Sequence, residues 1–279
     1  MKKLSLLITI FFITQFPVMA DISNYGFAQA QGRRPTMEDA HAVEAQGDIA
    51  FFGLYDGHGG RRVADYAAQY LHKNIFTELQ NSRTYRNSNI NKITAALEAG
   101  FLKTHKDLDT ASFNSRNQGC TAVAAIINNG KLYVANAGDS RAVVCNAGKA
   151  LALTEDHKPN RPDEQARIEK LGGQVIMHGV PRVNGRLAIS RALGDKALNP
   201  YVIPTPEIRE RTLTTDDEFL IIACDGVWDV LDNQTAVNIV KQHQTDLNKA
   251  ADVLKNEALR RGSTDNISAM VINLKSYQK

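Results

Sequence analysis

The sequence predicts an α+β protein in which antiparallel sheets are covered by helices. Two observations carry this. Apolar runs rich in β-branched residues follow one another in groups, punctuated by turn signals. Longer stretches with apolar residues three and four apart come in pairs rather than alternating with the strands, so the pattern is not that of repeated βαβ units.

In chain order, the first strand is read at Ile49–Tyr55, and a helix follows over roughly Gly60–Leu79. Segment Ser82–Asn91 is polar, rich in Asn, Ser and Arg, and is read as a loop or insertion before a second helix at Ile90–Leu108. Strands are read at Thr121–Asn128, Lys131–Asn136 and Arg141–Cys145. Asn129-Gly130 joins the first two and is a strong hairpin signal. Asn146-Ala147-Gly148 closes a second turn of the same kind. A helix is expected over Pro162–Leu171, and the proline-rich segment Asn199–Pro206 is extended and irregular. Then come a strand at Glu218–Cys224, helices at Gln234–His243 and Leu247–Gly262, and a last strand at Ile267–Leu274. No internal repeat or low-complexity tract interrupts this order.

The N-terminus reads as an address label. Met1-Lys2-Lys3 precedes the apolar run Leu4–Phe16, and Val18 and Ala20 stand three and one residues before a cut ahead of Asp21. A basic start, a short apolar stretch and small residues are the parts of a secretory signal peptide. Residues 1–20 are therefore expected to be removed, leaving 21–279 as one exported domain, secreted or periplasmic, with no membrane span. The formal charge of +3 falls to +1 once Lys2 and Lys3 are gone. With no basic stripe or tail, nucleic acid is not an expected partner. The three cysteines, Cys120, Cys145 and Cys224, lie in or beside apolar runs and are read as buried small residues; in an oxidising compartment one pair could still form.

The acidic residues carry the functional signal. Asp56 ends an apolar run and is followed by Gly57-His58-Gly59-Gly60; Asp225 ends another and is followed by Gly226. Asp139 follows Val134–Gly138, Asp265-Asn266 immediately precedes the last strand, and Glu38-Asp39 lies shortly before the first. One Asp-Gly after a strand is an ordinary turn. Repeated strand after strand, the pattern delivers several carboxylates to the rim of a packed core, where they resist ionisation unless cations lie between them. Hard ions with oxygen ligands, Mg²⁺ or Mn²⁺, suit such a set, and a pair of them serves phosphoryl chemistry. His58, held between glycines in a predicted loop, is a candidate proton donor.

At these residues the chain resembles the metal-dependent protein phosphatase family, of the protein phosphatase 2C type. The blocks are Arg34-Pro35-Thr36-Met37-Glu38-Asp39-Ala40-His41, Tyr55-Asp56-Gly57-His58-Gly59-Gly60 and Gly138-Asp139-Ser140-Arg141. They continue with Leu153-Thr154-Glu155-Asp156-His157-Lys158-Pro159, Ser190-Arg191-Ala192-Leu193-Gly194-Asp195, Cys224-Asp225-Gly226-Val227-Trp228-Asp229 and Ser263-Thr264-Asp265-Asn266-Ile267-Ser268. They stand in the family's order and span Tyr25 to Leu274.

The resemblance implies a four-layer αββα sandwich, two antiparallel sheets flanked by helices, with the metal site at one edge. It implies a protein serine/threonine phosphatase acting on phosphoprotein substrates as a monomer. Glu38, Asp56, Asp225 and Asp265 resemble the side-chain ligands of a two-metal centre for Mg²⁺ or Mn²⁺. Gly57 would lend its carbonyl and Asp56 would bridge. Asp139, with Asp225, resembles a weaker third-metal position. Arg34 resembles the phosphate clamp and His58 the general acid, while Asp39 and Asn266 would support the ligands. Two cations would acidify a shared water for in-line attack on phosphorus, with no covalent intermediate; no Cys or Ser falls in a nucleophile motif. The stretch Lys196–Tyr201, expected near the mouth of the site, is not distinctive and leaves substrate choice open. So does the combination of a eukaryotic motif style with a signal-like N-terminus, which fits phosphoproteins of a host as well as those of a periplasm or secretory pathway.

Three other classes fit less well. A pseudophosphatase predicts damage at a ligand or at Arg34, and all are intact. A small-ester phosphatase needs a closed pocket that nothing in the sequence supplies. A structural metal domain has no use for Arg34 and His58.

Overall fold

The structure, a computed structural model, describes residues 20–81, 92–113 and 115–278. The leader and the 82–91 insertion read from the sequence therefore lie outside the described residues, apart from Ala20. The strands are β1 (Tyr25–Ala30), β2 (Ala40–Gln46), β3 (Ile49–Tyr55), β4 (Gly57–His58), β5 (Gly119–Cys120), β6 (Ala122–Asn128), β7 (Lys131–Ala137) and β8 (Arg141–Asn146). They continue as β9 (Lys149–Ala152), β10 (Val175–His178), β11 (Val180–Val183), β12 (Leu193–Gly194), β13 (Glu207–Thr212), β14 (Asp217–Ala223) and β15 (Ile267–Asn273). The helices are α1 (Arg62–Gln80), α2 (Lys92–Asp107), α3 (Pro162–Lys170), α4 (Asp225–Trp228), α5 (Asn233–Lys241) and α6 (Leu247–Arg260).

Two antiparallel five-stranded sheets form the centre, one in the order β1-β15-β14-β8-β9 and the other β13-β7-β6-β3-β2. The hairpin expected at Asn129-Gly130 is a two-residue turn with both residues at positive φ, 51° and 74°, which matches the twist of β6 and β7. Ala147-Gly148 does the same between β8 and β9.

Alternation along each central strand divides the core into three slabs. Phe52, Leu54, Val123, Ala125 and Val134 of one sheet meet Val144, Leu220, Ile222, Met270 and Ile272 of the other. The opposite faces point outward. Phe51, Tyr55, Ala124 and Ile126 pack on Leu71, Ile75, Leu97 and Phe101 of α1 and α2. Val143, Phe219, Ile221 and Val271 pack on Val237, Val240, Ala251 and Leu254 of α5 and α6. This is the expected αββα sandwich. Burial on both faces explains why the central residues of β3, β6, β14 and β15 are apolar on both sides rather than alternating, Ser268 in β15 being the polar exception.

Two features are additional. The ribbon β10–β11 stands off the sandwich on a small cluster of Ile168, Val183, Ile189, Ala192, Leu198 and Val202. At one end of the sandwich, three two-residue strands pair in the order β12-β5-β4, tying His58 to Gly119 and Gly119 to Gly194. Cys120, Cys145 and Cys224 are all buried and unbridged. Among the described residues no helix is long and apolar enough to cross a membrane.

Candidate metal and catalytic centre

A cavity of 340 Å³ opens at the end of the sandwich where β3, β7 and β14 terminate. Arg34, Glu38, Asp56, Gly57, His58, Asp139, Asp225, Asp265 and Asn266 all line it. Asp39 lies behind that wall, fully buried. The sequence-predicted residues, spread over more than two hundred positions, thus meet in one place because the strands that carry them end at one edge.

Each is held from below. Asn266 acts as a three-way brace: its Oδ1 accepts from the Glu38 N–H at 2.8 Å, and its Nδ2 donates to the carbonyls of Gln31 at 2.8 Å and Thr36 at 3.0 Å. It clamps the β1–β2 connection, and with it Glu38, to the start of β15. Glu38 Oε1 accepts from Thr36 Oγ1 at 2.9 Å and Oε2 from the Gly60 N–H at 3.2 Å. Asp56 is fixed through its backbone: its N–H donates to Thr121 Oγ1 at 3.2 Å, and its carbonyl accepts from the Thr121 N–H at 2.9 Å. Asp225 opens α4 directly after β14. Arg34 donates through Nη2 to Asp265 Oδ2, which holds the guanidinium at the rim.

Packed together and buried, the carboxylates oppose one another's ionisation. Burial pushes the Asp56 carboxyl well above the usual carboxylate range, and Asp39, Asp225, Asp139 and Asp265 push it further. Burial, then Asp139, Asp229 and Asp265, raise Asp225 to about 8. Asp39 is raised to about 6 by burial, against hydrogen bonds from Ser268 and Cys224. Ser268 Oγ donates to Asp39 Oδ2 at 2.7 Å, while Asp39 Oδ1 is buried without a partner.

These residues fit divalent ions. The lining offers five carboxylates against two guanidinium groups, Arg34 and Arg182, and an all-oxygen donor set is the chemistry of hard cations. A Cβ on Gly57 would sit 2.4 Å from the Glu38 carbonyl oxygen, so a side chain there would close the space between the β1–β2 connection and β4. Behind the lining, Asp39, Asp56 and Cys224 bring their carboxylate oxygens and thiol within 4.8 Å of one another. Cys224 Sγ is occupied with the Ser268 N–H at 3.1 Å and the Asn266 carbonyl at 3.4 Å, so we read that thiol as a brace for the Asp39 wall.

Sequence reasoning assigned no role to three residues that the structure brings to the site. Asp195 Oδ2 lies 2.7 Å from His58 Nε2, and its residue takes a left-handed φ of 48° to do so. Lys158 Nζ lies 2.5 Å from Asp139 Oδ2. Arg182, with Leu187, Ala188 and Ile189, forms one wall of the cavity. Both Asp195 and Lys158 stand inside blocks quoted above, so the residues were visible but their partners were not. The wall is also a correction: Lys196–Tyr201, expected at the mouth, does not line the cavity, and the segment following β11 does. Lys196 turns away to pair with Asp109 at 2.9 Å.

Residues 23–267 match the family model for protein phosphatase 2C. The chain is 41% identical over 260 residues to a probable protein phosphatase 2C 59 of Arabidopsis thaliana, covering 91% of this chain and 81% of the relative. It is 44% identical over 252 residues to a probable mitochondrial protein phosphatase 2C, member 13, of Oryza sativa, covering 88% and 67%. Among solved structures, a serine-threonine phosphatase 2C from Toxoplasma gondii superposes with a TM-score of 0.78 at 25% identity, covering 89% of this chain and 94% of that one. A sex-determining protein of C. elegans superposes at 0.81 with 26% identity, covering 91% and 67%.

Proposed function

This chain belongs to the protein phosphatase 2C family, as a metal-dependent protein serine/threonine phosphatase and hence a hydrolase, and we propose that it works through a two-metal centre at the cavity edge. The observation that carries this reading is the convergence of five carboxylates, Arg34 and His58 on one cavity.

In this reading Glu38, Asp56, Asp225 and Asp265, with the Gly57 carbonyl, are the groups that would hold two Mg²⁺ or Mn²⁺ ions. Asp139 with Asp225 would offer a weaker third position. When bound, the ions neutralise phosphoryl charge and acidify the attacking water. Arg34 offers its planar fork to the equatorial phosphoryl oxygens, and its partner Asp265 keeps it aimed while free. His58 gives its proton to the departing Ser or Thr oxygen, a poor leaving group without one. Asp195 orients the ring through Nε2. Asp39 and Asn266 keep the carboxylate wall in register. The P–O bond to the side chain breaks as water adds in line, and no side-chain nucleophile takes part.

The test is hydrolysis of a phosphothreonine peptide by residues 21–279, with and without Mn²⁺ or Mg²⁺, beside Asp225→Ala. Metal-dependent turnover that the variant lacks supports the reading. A folded chain with no turnover under any divalent ion would make it a phosphoprotein-binding module instead.

Export belongs to the proposal as well. Its support is the basic, apolar, small-residue order of residues 1–20. The substrates would then be phosphoproteins outside the cytosol, of a host or of the secretory compartment, met by a monomer. Mass spectrometry of the exported chain tests the leader, and an intact Met1 would rule out cleavage.

A further inference from the structure

His105 is buried near the end of α2 and has no part in the proposed chemistry. Its Nδ1 accepts the backbone N–H of Gly194 at 3.3 Å. Gly194 closes β12, the outer member of the set β12-β5-β4, so one side of that strand pairs with β5 and the other has no strand beside it. A buried N–H on such an edge is costly if it finds no acceptor, and His105 supplies one. Burial and then Lys196 hold the His105 pKa down to about 4, against Asp109 and Asp195. The ring is therefore neutral, with its proton on Nε2 and a lone pair at Nδ1.

The next residue is Asp195. It stands at a left-handed φ of 48°, reached across Gly194 at φ 87°. Its N–H donates to the Gln118 carbonyl at 2.9 Å, on the β5 side. A Cβ on Gly194 would sit 2.4 Å from that same Gln118 oxygen, so the turn lies tight on β5 with His105 behind it. Beyond the turn, Lys196 Nζ pairs at 2.9 Å with Asp109, just past α2. Residues 194–196 are thus held between β5 on one side and the end of α2 on the other. From there Asp195 Oδ2 reaches His58 Nε2 at 2.7 Å.

We infer that His105 is a positioning residue for proton delivery: by accepting the Gly194 N–H it fixes the turn from which Asp195 orients His58. This rests on the proposed reading of His58 as the acid and Asp195 as its orienting partner. Glycine accepts many φ values, so Gly194 by itself does not choose one, and the bond to His105 does. A left-handed residue such as Asp195 persists only where its surroundings hold it. Without an acceptor on the α2 side, the Gly194 N–H would turn toward one elsewhere, and the aim of Asp195 would turn with it. A misaimed acid matters only where the leaving group needs a proton, as a threonine oxygen does and p-nitrophenolate does not.

The experiment is steady-state hydrolysis of a phosphothreonine peptide and of p-nitrophenyl phosphate, in saturating Mn²⁺, by the wild type, His105→Leu and His105→Asn. Leu places a methyl group where Nδ1 stands and offers no acceptor, whereas Asn places its Oδ1 there. His105→Leu should lower kcat on the peptide about tenfold, a smaller loss than a full ångström of misplacement brings. Its KM and its turnover of p-nitrophenyl phosphate should stay close to wild type, and His105→Asn should recover most of the loss. A thermal melt checks that each sample is folded. His105→Met, an adaptable apolar filler, gives the same reading if the Leu variant does not fold. Equal losses on the two substrates, no loss on the peptide, or an Asn variant no better than Leu would overturn the inference. Asp195→Asn, run alongside, separates it from the reading beneath. If Asp195→Asn loses peptide turnover selectively and His105→Leu does not, the inference alone fails. If neither variant discriminates between the substrates, the orienting role of Asp195 fails with it.

Discussion

His58 Nε2 and Asp195 Oδ2 meet at 2.7 Å directly over the bare Cα of Gly119. Three two-residue strands bring them there: β4 carries His58, β12 ends just before Asp195, and β5 lies between them. The imidazole is thus oriented by a residue 137 positions away in sequence.

Removing the Asp195 charge should uncouple that orientation from the fold. Burial lowers the His58 pKa, but the Asp195 charge and hydrogen bond, aided by Asp139 and Glu38, outweigh it and raise the pKa overall. A raised value keeps the proton available to higher pH, so Asp195→Asn should move the alkaline limb of the rate profile to lower pH. On a phosphothreonine peptide we expect kcat to fall about 10²-fold, the lower range for loss of general-acid catalysis. On p-nitrophenyl phosphate, whose leaving group needs no proton, the loss should be much smaller. Equal losses on both substrates would refute the role.

Gly119→Ala tests the same pair by steric means. Its Cβ would stand 2.0 Å from Asp195 Oδ2 and 2.6 Å from His58 Nε2. The expected result is a fall in kcat similar to that of Asp195→Asn, with a stability cost of about 1–3 kcal/mol for overpacking. A thermal melt beside the kinetics separates the two effects.

The metal-free protein should be more stable with Asp225 neutralised. Burial first, then Asp139, Asp229 and Asp265, raise this carboxyl to about 8 from 3.8. A raised folded pKa stabilises below the unfolded value, and that stability is lost as pH rises through the folded value. The apo protein should therefore melt lower at pH 8 than at pH 5. Asp225→Asn should raise the apo Tm at pH 8 by about 2–6 °C while abolishing turnover. Adding Mn²⁺ should raise the wild-type Tm and barely move the variant.

Glu164 should show the opposite pH sense. It is 1% exposed. Burial would raise its pKa, but hydrogen bonds from Arg191, Arg167 and Ser190 bring it down to about 2 from 4.5. Arg191 Nη2 reaches Glu164 Oε1 at 2.7 Å and Arg167 Nη2 reaches Oε2 at 2.8 Å. This stability is present above the unfolded value and is lost as pH falls through the folded one. Glu164→Gln should cost about 3 kcal/mol at pH 7, the low end for breaking a buried, paired charge. Denaturant titrations should show the gap closing between about pH 4.5 and pH 2, and a gap independent of pH would refute the account.

The strands that escaped sequence reading in the two large sheets share one property. β1, β2, β9 and β13 are the four sheet edges. An edge strand has one unpaired side and an exposed or charged face, as in Glu207-Ile208-Arg209-Glu210-Arg211-Thr212, so the apolar signal that marks a strand is diluted. Because β2 went unseen, Glu38-Asp39 was placed loosely before the first strand. The structure sets the pair immediately before β2. The four-residue helix α4 was also missed, being too short to show a period.

The sequence by itself determined the inner strands, the Asn129-Gly130 turn, the family and the carboxylates at the strand ends. Each of these is a local property: an apolar run buried on both faces, a positive-φ dipeptide, or a block of adjacent residues. Tertiary structure alone decided which groups face one another. Asp195 on His58, Lys158 on Asp139, the Asn266 brace on Glu38 and the wall from Arg182 to Ile189 all join separate segments. Such contacts depend on how two sheets stack and where their strands end, and a polar side chain shows its partner only once packing has removed the water that would otherwise satisfy it.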